Sequence, residues 1–434
     1  MPPRQRLLLR ARGGGKAAEA SPGCSVSASI FNLVNNVAGA GILTLPAGMG
    51  AGTGLVPAIA LTAVLGIICS HTFERIGEAS ELTQETTFKG IWSKTLGPKT
   101  AWIVDAAIFF MCLSATIIYA GIMGDVLTSI LHLCGVSSRF NVRTLNIAGL
   151  TAAVLLPLSL LRDLSALAFT SLLGFAAVVY TVIFMVVRAL DGSYAPGGKW
   201  AAQLPASMQP RFEGLGLWTL DQKALVLVNN LGLAFIAHYN APAFYRELDK
   251  RSMARFAQVV RRSFLTITAL YVVTMMAGFF TFGRATASNI LNSYHGSDPL
   301  AVIGRVATGL SVLFGFPLAF AGLKASFASL STDLPAPLST LGRHHDATVV
   351  ILITLIAAVA CLAEDIGLLV GISGAVLGSM ICYVFPALIW VRTVQKWRPQ
   401  DLRVTKLVNS GLVPVGAFVG ALGVYMSIQN ELAK

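Results

Sequence analysis

Charge-free apolar stretches recur along the whole of this 434-residue chain. The first extends from Ala20 to Phe73 without a single Asp, Glu, Lys or Arg. Only 12% of the residues are charged, whereas soluble domains carry about a quarter charged residues. A helix needs roughly 17 to 25 apolar residues to cross the hydrocarbon of a bilayer. The pattern therefore predicts an all-α polytopic membrane protein.

The apolar stretches divide into eleven predicted transmembrane helices, called spans 1 to 11 below. The first stretch holds two of them, because the glycine-rich residues 50–54 interrupt it. Span 3 contains Asp105 and Asp125 but is otherwise apolar. The predicted bounds are, in order, 26–49, 54–74, 102–131, 144–161, 164–187, 224–246, 263–283, 300–323, 347–363, 366–391 and 407–429.

The distribution of Lys and Arg predicts the orientation in the membrane. With the N-terminus in the cytoplasm, the inside segments hold 23 of the 32 basic residues and the outside segments hold 9. This excess agrees with the positive-inside rule. Basic loops facing anionic lipid also explain the net charge of +12, so no nucleic-acid partner is expected. Residues 1–24 are predicted to be a disordered basic cytoplasmic tail.

Span 1 contains several features that weaken a helix. Residues 38–42 read AGAGI, and Pro46 lacks an amide proton and disfavours a helical Leu45. Because lipid cannot satisfy free backbone groups, a break here must face protein or water. We expect the break between residues 39 and 42, with the amides of the second half-helix offering a carboxylate site. The alternative is a glycine-rich packing face with a mild proline kink.

Span 6 is the second anomalous helix, because His238-Tyr-Asn-Ala-Pro242 lies at mid-depth. Such polar residues in lipid are costly and are usually functional or buried in the bundle. A kinked helix with His238 bound to a neighbouring carbonyl is the alternative. Transporters built from two inverted five-helix repeats break the first helix of each repeat and bind substrate between the breaks. The two breaks therefore favour a 5+5 inverted repeat plus one extra helix.

The repeats give the predicted domain boundaries. After the tail come a first repeat over 25–188, an extracellular or lumenal loop over 189–222 and a second repeat over 223–393, and residues 394–434 hold a cytoplasmic loop and the eleventh helix. The tetrapeptide Leu-Val-Asn-Asn occurs at 33–36 and at 227–230. Leu-Val-Asn also occurs at 407–409, outside both repeats, so this echo is not used as evidence for the repeat.

Four stretches together resemble one known family. Residues 31–46, FNLVNNVAGAGILTLP, resemble the first helix of the amino acid/auxin permease family, and especially its neutral amino acid transporters. Residues 235–248, 289–291 and 316–318 resemble that family's sixth helix and its exit, the loop before helix eight and the end of helix eight. The resemblance covers about residues 25 to 400. It implies the eleven-helix form of the bacterial leucine-transporter fold and coupled transport of small neutral amino acids.

The resemblance also implies a substrate site between the two breaks. The substrate carboxylate would lie on the backbone of Gly39, Ala40 and Gly41. The ammonium group, which has only donors, would meet carbonyl oxygens around Val37 and Ala237. The remaining residues expected at the pocket border are His238, Tyr239, Asn240, Ser114 and Tyr119, with core packing as the alternative for Tyr119.

The resemblance implies a coupling ion as well. In sodium-coupled members, an asparagine in the first helix and hydroxyls in the eighth supply the hard oxygen ligands that such cations prefer. The matching positions are Asn35, Thr308 and Ser311. Asn35 could instead cross-link helices by hydrogen bonds. A proton is the other candidate ion, because histidine titrates near neutral pH and His238 lies in a break; sodium is favoured, and no other cofactor is expected.

Other classes of function are weaker. An enzyme is not expected, because Gly371-Ile-Ser-Gly374 would need a facing histidine base, whereas small residues at 371, 374 and 378 predict a close helix contact. The six cysteines show no metal or disulfide spacing. A non-transporting amino acid sensor of the same fold is the main alternative. Without a glycosylation sequon, the chain suits either the plasma membrane or a vacuolar or lysosomal membrane.

Overall fold

The computed structural model describes residues 23–161, 170–214, 216–332, 335, 338–342, 344–363 and 365–432. Ten of the described helices are long and apolar enough to cross a membrane, or eleven when the bent helix pair of span 1 is counted as one. This confirms the predicted all-α polytopic fold class. Of the predicted tail over 1–24, only the last two residues lie within the described part, and residues 164–169 of span 5 lie outside it.

Seven spans are continuous helices where they are described, and spans 1, 4, 6 and 10 are interrupted. The continuous helices are Leu55–Thr83, Trp102–Leu133, Thr170–Leu190, Met253–Phe282, Pro299–Ser331, His345–Leu362 and Leu412–Leu432, which are spans 2, 3, 5, 7, 8, 9 and 11. The interrupted spans are Val26–Val37 with Leu45–Gly50, Arg143–Leu150 with Leu156–Leu160, Ala224–Ala234 with Ala241–Glu247, and Gly367–Ser373 with Phe385–Trp397. In spans 4 and 10 the interruption is a π-helical segment, Thr151–Leu155 and Gly374–Val384 respectively.

Several helices are longer than the charge-free stretches that predicted them. Span 2 continues to Thr83 rather than ending at residue 74, span 7 begins at Met253 rather than 263, and span 8 continues to Ser331 rather than 323. A charge-free stretch marks the part of a helix inside hydrocarbon. The helix itself can extend beyond the lipid, where charged side chains such as Glu74 and Arg261 meet each other.

Spans 1 and 6, the two spans with predicted breaks, lie side by side in the middle of the bundle. Span 7 contacts both halves of span 1, and the first half of span 6 contacts the second half of span 1 and the π segment of span 10. Asn230, in the first half of span 6, binds the break of span 1, because its Nδ2 donates to the carbonyl of Thr44 at 2.8 Å. The interrupted helices are therefore buried in protein, as non-helical backbone in a membrane requires.

Spans 6 and 10 approach with almost no side chain between them. A Cβ added to Gly374 would overlap the carbonyl oxygen of Asn229, and a Cβ added to Gly378 would lie 2.8 Å from the carbonyl carbon of Gly232. At Gly371 an added Cβ would lie 2.5 Å from Ser427 Oγ of span 11. The small residues at 371, 374 and 378 thus form the close helix contact that the sequence predicted.

The loop over 189–222 covers one face of the bundle. The amides of Gly54 and Val56 donate to the carbonyls of Thr219 and Leu217 at 2.7 and 3.0 Å. At the base of the loop, the guanidinium of Arg188 binds both carboxylate oxygens of Asp298, at 2.9 and 2.6 Å. Asp298 is fully buried, so this charge pair helps to close that face.

Candidate functional site

Span 1 breaks directly after Val37. Gly39 has extended backbone angles, φ −89° and ψ −160°, and a 3₁₀ turn over Ala40–Thr44 leads into the second half-helix. The two halves are bent by 49°. The break therefore starts one residue before the predicted range. Pro46 lies in the first turn of the second half, where its missing amide proton is not needed.

The expectation that Pro46 would disfavour a helical Leu45 is wrong. Leu45 has helical angles, φ −64° and ψ −41°. A proline near a helix start can follow a helical residue when packing holds that residue in place, and Leu45 is fully buried. The glycines rather than the proline therefore account for the break.

Span 6 also breaks earlier than the residues that predicted it. Its first helix ends at Ala234, Ala237 has the non-helical angles φ −151° and ψ 1°, and His238–Asn240 forms a 3₁₀ turn. Pro242 then lies in the first turn of the second half-helix. The predicted break over 238–242 is thus the end of an opening that begins at residue 235.

Tyr271 of span 7 connects the two breaks. Its hydroxyl lies 3.0 Å from the carbonyl oxygen of Val37 and 2.6 Å from that of Ala234, the last helical residue of each first half. A phenol has one proton to donate, so the two carbonyls share it. The sequence did not single out this residue; its only signal was a phenol in the interior of an apolar span, which needs a polar partner when buried.

A cavity of about 680 Å³ lies between the breaks. Its walls include residues at both breaks, Val37 to Gly39 and Leu233, Ala234 and Ile236, together with residues of spans 3 and 8. It extends past Asn36 to Glu247, the exposed last residue of span 6. The cavity therefore opens at the face where span 1 begins and span 6 ends, opposite to the face covered by the 189–222 loop.

Many of the predicted site residues lie on this cavity. Asn36 and Asn240, from the two broken spans, form a hydrogen bond of 3.3 Å on its wall. The predicted residues that line the cavity are Asn35, Val37, Gly39, Gly41, Tyr119, Tyr239, Asn240 and Ser311. Ala40 belongs to the 3₁₀ turn between them, and its side chain is outside the described part.

Three predicted substrate residues, Ser114, Ala237 and His238, are absent from the described lining of the cavity. Ser114 is buried and is not among the lining residues, whereas Cys112, Ala115 and Tyr119 of the same helix are. Ala237 is fully buried. The roles of the Ala237 carbonyl and of the Ser114 and His238 side chains at the substrate therefore stay predictions.

His238 points away from the cavity and into span 2. Its Nε2 lies 3.1 Å from the carbonyl oxygen of Cys69 and 2.9 Å from Thr72 Oγ1, and the residue is fully buried. A polar side chain in a membrane helix must find a partner, and here a neighbouring backbone supplies it. This is the alternative that the sequence analysis gave for His238.

Thr308 lines a second, much smaller cavity beside the break of span 1. This cavity has a volume of about 20 Å³, and four hydroxyl-bearing residues, Thr181, Thr274, Thr308 and Ser311, contribute to its lining together with Gly39. The hydroxyls of Thr181 and Thr308 are 3.2 Å apart. Asn35 lines the large cavity only. The predicted ion ligands are thus divided between two neighbouring cavities that share Ser311.

The comparison with protein families decides what this architecture belongs to. The family model described as transmembrane amino acid transporter protein matches residues 22–429. The chain belongs to this family. The match includes both broken spans and every residue that lines the two cavities, so the cavities are features of a transmembrane amino acid transporter protein rather than of an enzyme.

Known relatives of this transporter chain include animal and plant proteins. "Putative sodium-coupled neutral amino acid transporter 11" of Mus musculus is 24% identical over 430 residues, covering 98% of this chain and 88% of the relative. "Amino acid transporter AVT6E" of Arabidopsis thaliana is 26% identical over 427 residues, covering 94% of this chain and 85% of the relative. Both similarities extend over nearly the whole transporter.

A solved structure has the same fold as this transporter. The inward-facing conformation of Mhp1 superposes with a TM-score of 0.57 at 13% sequence identity, covering 95% of this chain and 92% of the other. At this identity the similarity concerns the fold alone. It confirms the leucine-transporter-like 5+5 inverted repeat with broken spans 1 and 6 and one extra helix.

Proposed function

We propose that this protein is a secondary active transporter that moves small neutral amino acids across a membrane, coupled to a sodium or proton gradient. The observation that carries the proposal is the cavity of about 680 Å³ that is lined by residues of both breaks. Unwound backbone at mid-membrane supplies free amide and carbonyl groups to a substrate. With the N-terminus in the cytoplasm, as the basic residues predict, the cavity faces inward.

The chemistry of the lining supports a neutral substrate. Among the described lining residues, Glu247 at the open end is the only charged one. A charged substrate side chain at mid-membrane would therefore lack a compensating charge, which is costly. The amides of Ala40 and Gly41, at the start of the 3₁₀ turn, suit the carboxylate that every amino acid carries, whereas the Gly39 amide donates to the Val37 carbonyl.

The partner that we propose for the substrate ammonium group is the carbonyl oxygen of Val37. Its carbonyl oxygen already accepts from the Gly39 amide at 2.7 Å and from Tyr271 at 3.0 Å, and a carbonyl has two lone pairs. When Tyr271 gives its proton to Ala234 instead, one lone pair of Val37 becomes available. The proposed ammonium site therefore depends on the Tyr271 hydroxyl as well as on the break.

Uptake by proteoliposomes tests the proposal. Purified protein should accumulate labelled alanine when a sodium or a proton gradient is imposed, and lose this accumulation when an ionophore dissipates that gradient. Lysine and glutamate should be poor competitors. Alanine binding without flux under either gradient would instead support the sensor alternative, and gradient-independent behaviour with every amino acid would contradict coupled transport.

For the coupling ion, we propose sodium in the small cavity near Thr308 and Ser311. The cavity of about 20 Å³ is large enough for one water-sized occupant, and hydroxyl and carbonyl oxygens are the ligands that hard cations prefer. Asn35 lies on the wall of the adjoining large cavity. There its side chain can contact the sodium ion indirectly, through the bound substrate or a water molecule.

The sodium proposal has a matched pair of variants. Thr308→Val keeps the side-chain shape and removes one oxygen, so the sodium concentration for half-maximal uptake should rise at least about tenfold, the effect of about 1.4 kcal/mol. Thr116→Val is the control, because Thr116 is fully buried, bonds to carbonyls of its own helix and lines neither cavity. An unchanged sodium requirement in Thr308→Val, together with uptake driven by pH alone, would favour proton coupling.

A further inference from the structure

Three potential metal ligands from three different spans lie close together at the span 6 break. Cys69 lies on span 2, His238 in the break and Cys382 in the π segment of span 10. Each has an exposed fraction of 0%. The two sulfur atoms and one imidazole nitrogen lie within 4.8 Å of one another. No ligand spacing in the sequence reveals this group, because its members are separated by more than a hundred residues.

The hydrogen bonds of His238 determine which ring nitrogen is free. Nε2 faces the carbonyl oxygen of Cys69 at 3.1 Å, which can only accept, so Nε2 carries the proton. The Thr72 hydroxyl donates to the carbonyl of Ile68 at 2.9 Å and can accept from the same Nε2. The lone pair is therefore on Nδ1, which is buried and has no hydrogen-bond partner in the described part of the chain.

This arrangement is typical of a metal-binding histidine. Such a histidine usually donates its second ring N–H to a backbone carbonyl or carboxylate, which fixes the tautomer and orients the ring. An unsatisfied buried nitrogen destabilises the folded chain, and a bound metal would remove that penalty. The Tyr383 hydroxyl is also buried and lies beside both thiols.

We propose that Cys69, His238 and Cys382 form a zinc site. Two thiolates and a neutral imidazole balance the charge of Zn²⁺, which matters in the interior of a membrane protein, where a net charge is costly. Cu⁺ with the same ligands would leave one negative charge. Two cysteines and one histidine are an established zinc ligand set with an open fourth position, which the Tyr383 hydroxyl or a water can fill.

Zinc binding at this site involves no redox change. Each thiol loses its proton to solvent, and the two sulfur atoms and Nδ1 donate lone pairs to the metal. Zinc bonds of about 2.0–2.3 Å place tetrahedral ligands roughly 3.5–3.8 Å apart, so the side chains would close by about 1 Å. The bound ion would join span 2 and span 10 to the span 6 break.

Cobalt binding to the full-length protein tests this proposal, which does not rest on the proposed transport function. Protein purified in detergent with a phosphine reductant is stripped with a chelator and titrated with Co²⁺. We expect one Co²⁺ per chain, with sulfur-to-cobalt charge-transfer absorption and tetrahedral d–d bands, and displacement of both by Zn²⁺. Zinc should also raise the unfolding temperature, because it binds only the folded chain.

Matched cysteine variants identify the ligands. Cys69→Ser and Cys382→Ser should each weaken the charge-transfer absorption and lower the Co²⁺ affinity at least a hundredfold. Cys134→Ser, which removes an exposed thiol elsewhere, should leave both unchanged. Size-exclusion profiles and unfolding temperatures without metal show whether each variant is folded.

Two outcomes would overturn the zinc site. One is wild-type protein without thiolate charge-transfer absorption at saturating Co²⁺, a result that needs no variant. The other is a disulfide between Cys69 and Cys382, detected by mass spectrometry in protein purified without reductant. Either result would assign the cluster to thiol packing or to a covalent cross-link.

Discussion

The first halves of spans 1 and 6 contain the same tetrapeptide in opposite surroundings. Leu-Val-Asn-Asn occupies 33–36 in span 1 and 227–230 in span 6. Asn35 and Asn36 line the open cavity, whereas Asn229 and Asn230 are buried, with exposed fractions of 1% and 5%. The same residues therefore face an open cavity in one helix and form the interior of the bundle in the other.

The hydrogen bonds show what the difference means. The Asn229 amide donates to Gly423 O at 2.9 Å and to Ser427 Oγ at 3.0 Å, which attaches span 6 to span 11. Asn230 donates to Thr44 across the breaks. Asn36 bonds only to Asn240 on the cavity wall among the described residues. Because the two repeats are inverted, equivalent half-helices lie at opposite faces, and only one face is open in this conformation.

The largest expected effect concerns the contact between the two breaks. Gly41→Leu should reduce alanine uptake by more than about a hundredfold, because even a Cβ at this position would lie 3.0 Å from Ala234 Cα. Gly39→Ala is the matched variant, since its Cβ would meet only Tyr119 Oη, at 3.5 Å. It should retain measurable uptake. Initial uptake rates, with membrane insertion measured in parallel, compare the two; wild-type uptake in Gly41→Leu would refute the assigned break.

The next effect concerns the phenol that both breaks share. Tyr271→Phe leaves the carbonyls of Val37 and Ala234 without this donor, a loss of about 1–2 kcal/mol or roughly tenfold in uptake. Tyr425→Phe, on the exposed surface of span 11, is the control and should transport normally. Equal uptake by the two variants would show that the Tyr271 hydroxyl is not needed.

The smallest effect separates the two asparagine pairs by stability. Asn230→Ala should lower the free energy of unfolding by about 1 kcal/mol, because it removes a buried interhelical hydrogen bond. Asn36→Ala should change it by less than about 0.5 kcal/mol, since Asn36 is exposed to the cavity. Thermal unfolding in detergent measures both. If Asn36→Ala were the more destabilising variant, the contrast between the cavity-facing first half of span 1 and the buried first half of span 6 would be wrong.

The fold followed from the sequence because hydrocarbon imposes simple requirements on a chain. Charge-free stretches located the spans, the glycines of residues 38–42 located the span 1 break, and the polar residues before Pro242 located the span 6 break. The ends of the broken helices were less predictable, because they depend on partners in other helices. The hydroxyl of Tyr271 in span 7, for example, binds the carbonyl oxygen of the last helical residue in the first half of span 1 and of span 6. The domain boundaries at 24, 188, 222 and 393 stay predictions.

The site was predicted less completely than the fold. Sequence identified the backbone positions at Gly39 and Gly41, because glycine weakens a helix. It could not give the direction of side chains: His238 was placed at the pocket, yet its imidazole binds the Cys69 carbonyl. Polarity in a span indicates that a partner exists, but only the packing of the helices shows whether that partner is substrate or protein.

The glycine contact between spans 6 and 10 has a mechanical consequence. With Asn229, Gly232, Gly374 and Gly378 touching through their backbones, the two helices have no layer of flexible side chains to absorb relative motion. Tilting one against the other would open an empty gap or force a clash. We therefore expect the two helices to move as one rigid unit. A hinge that opens or closes the cavity would then lie at the unwound residues of the breaks.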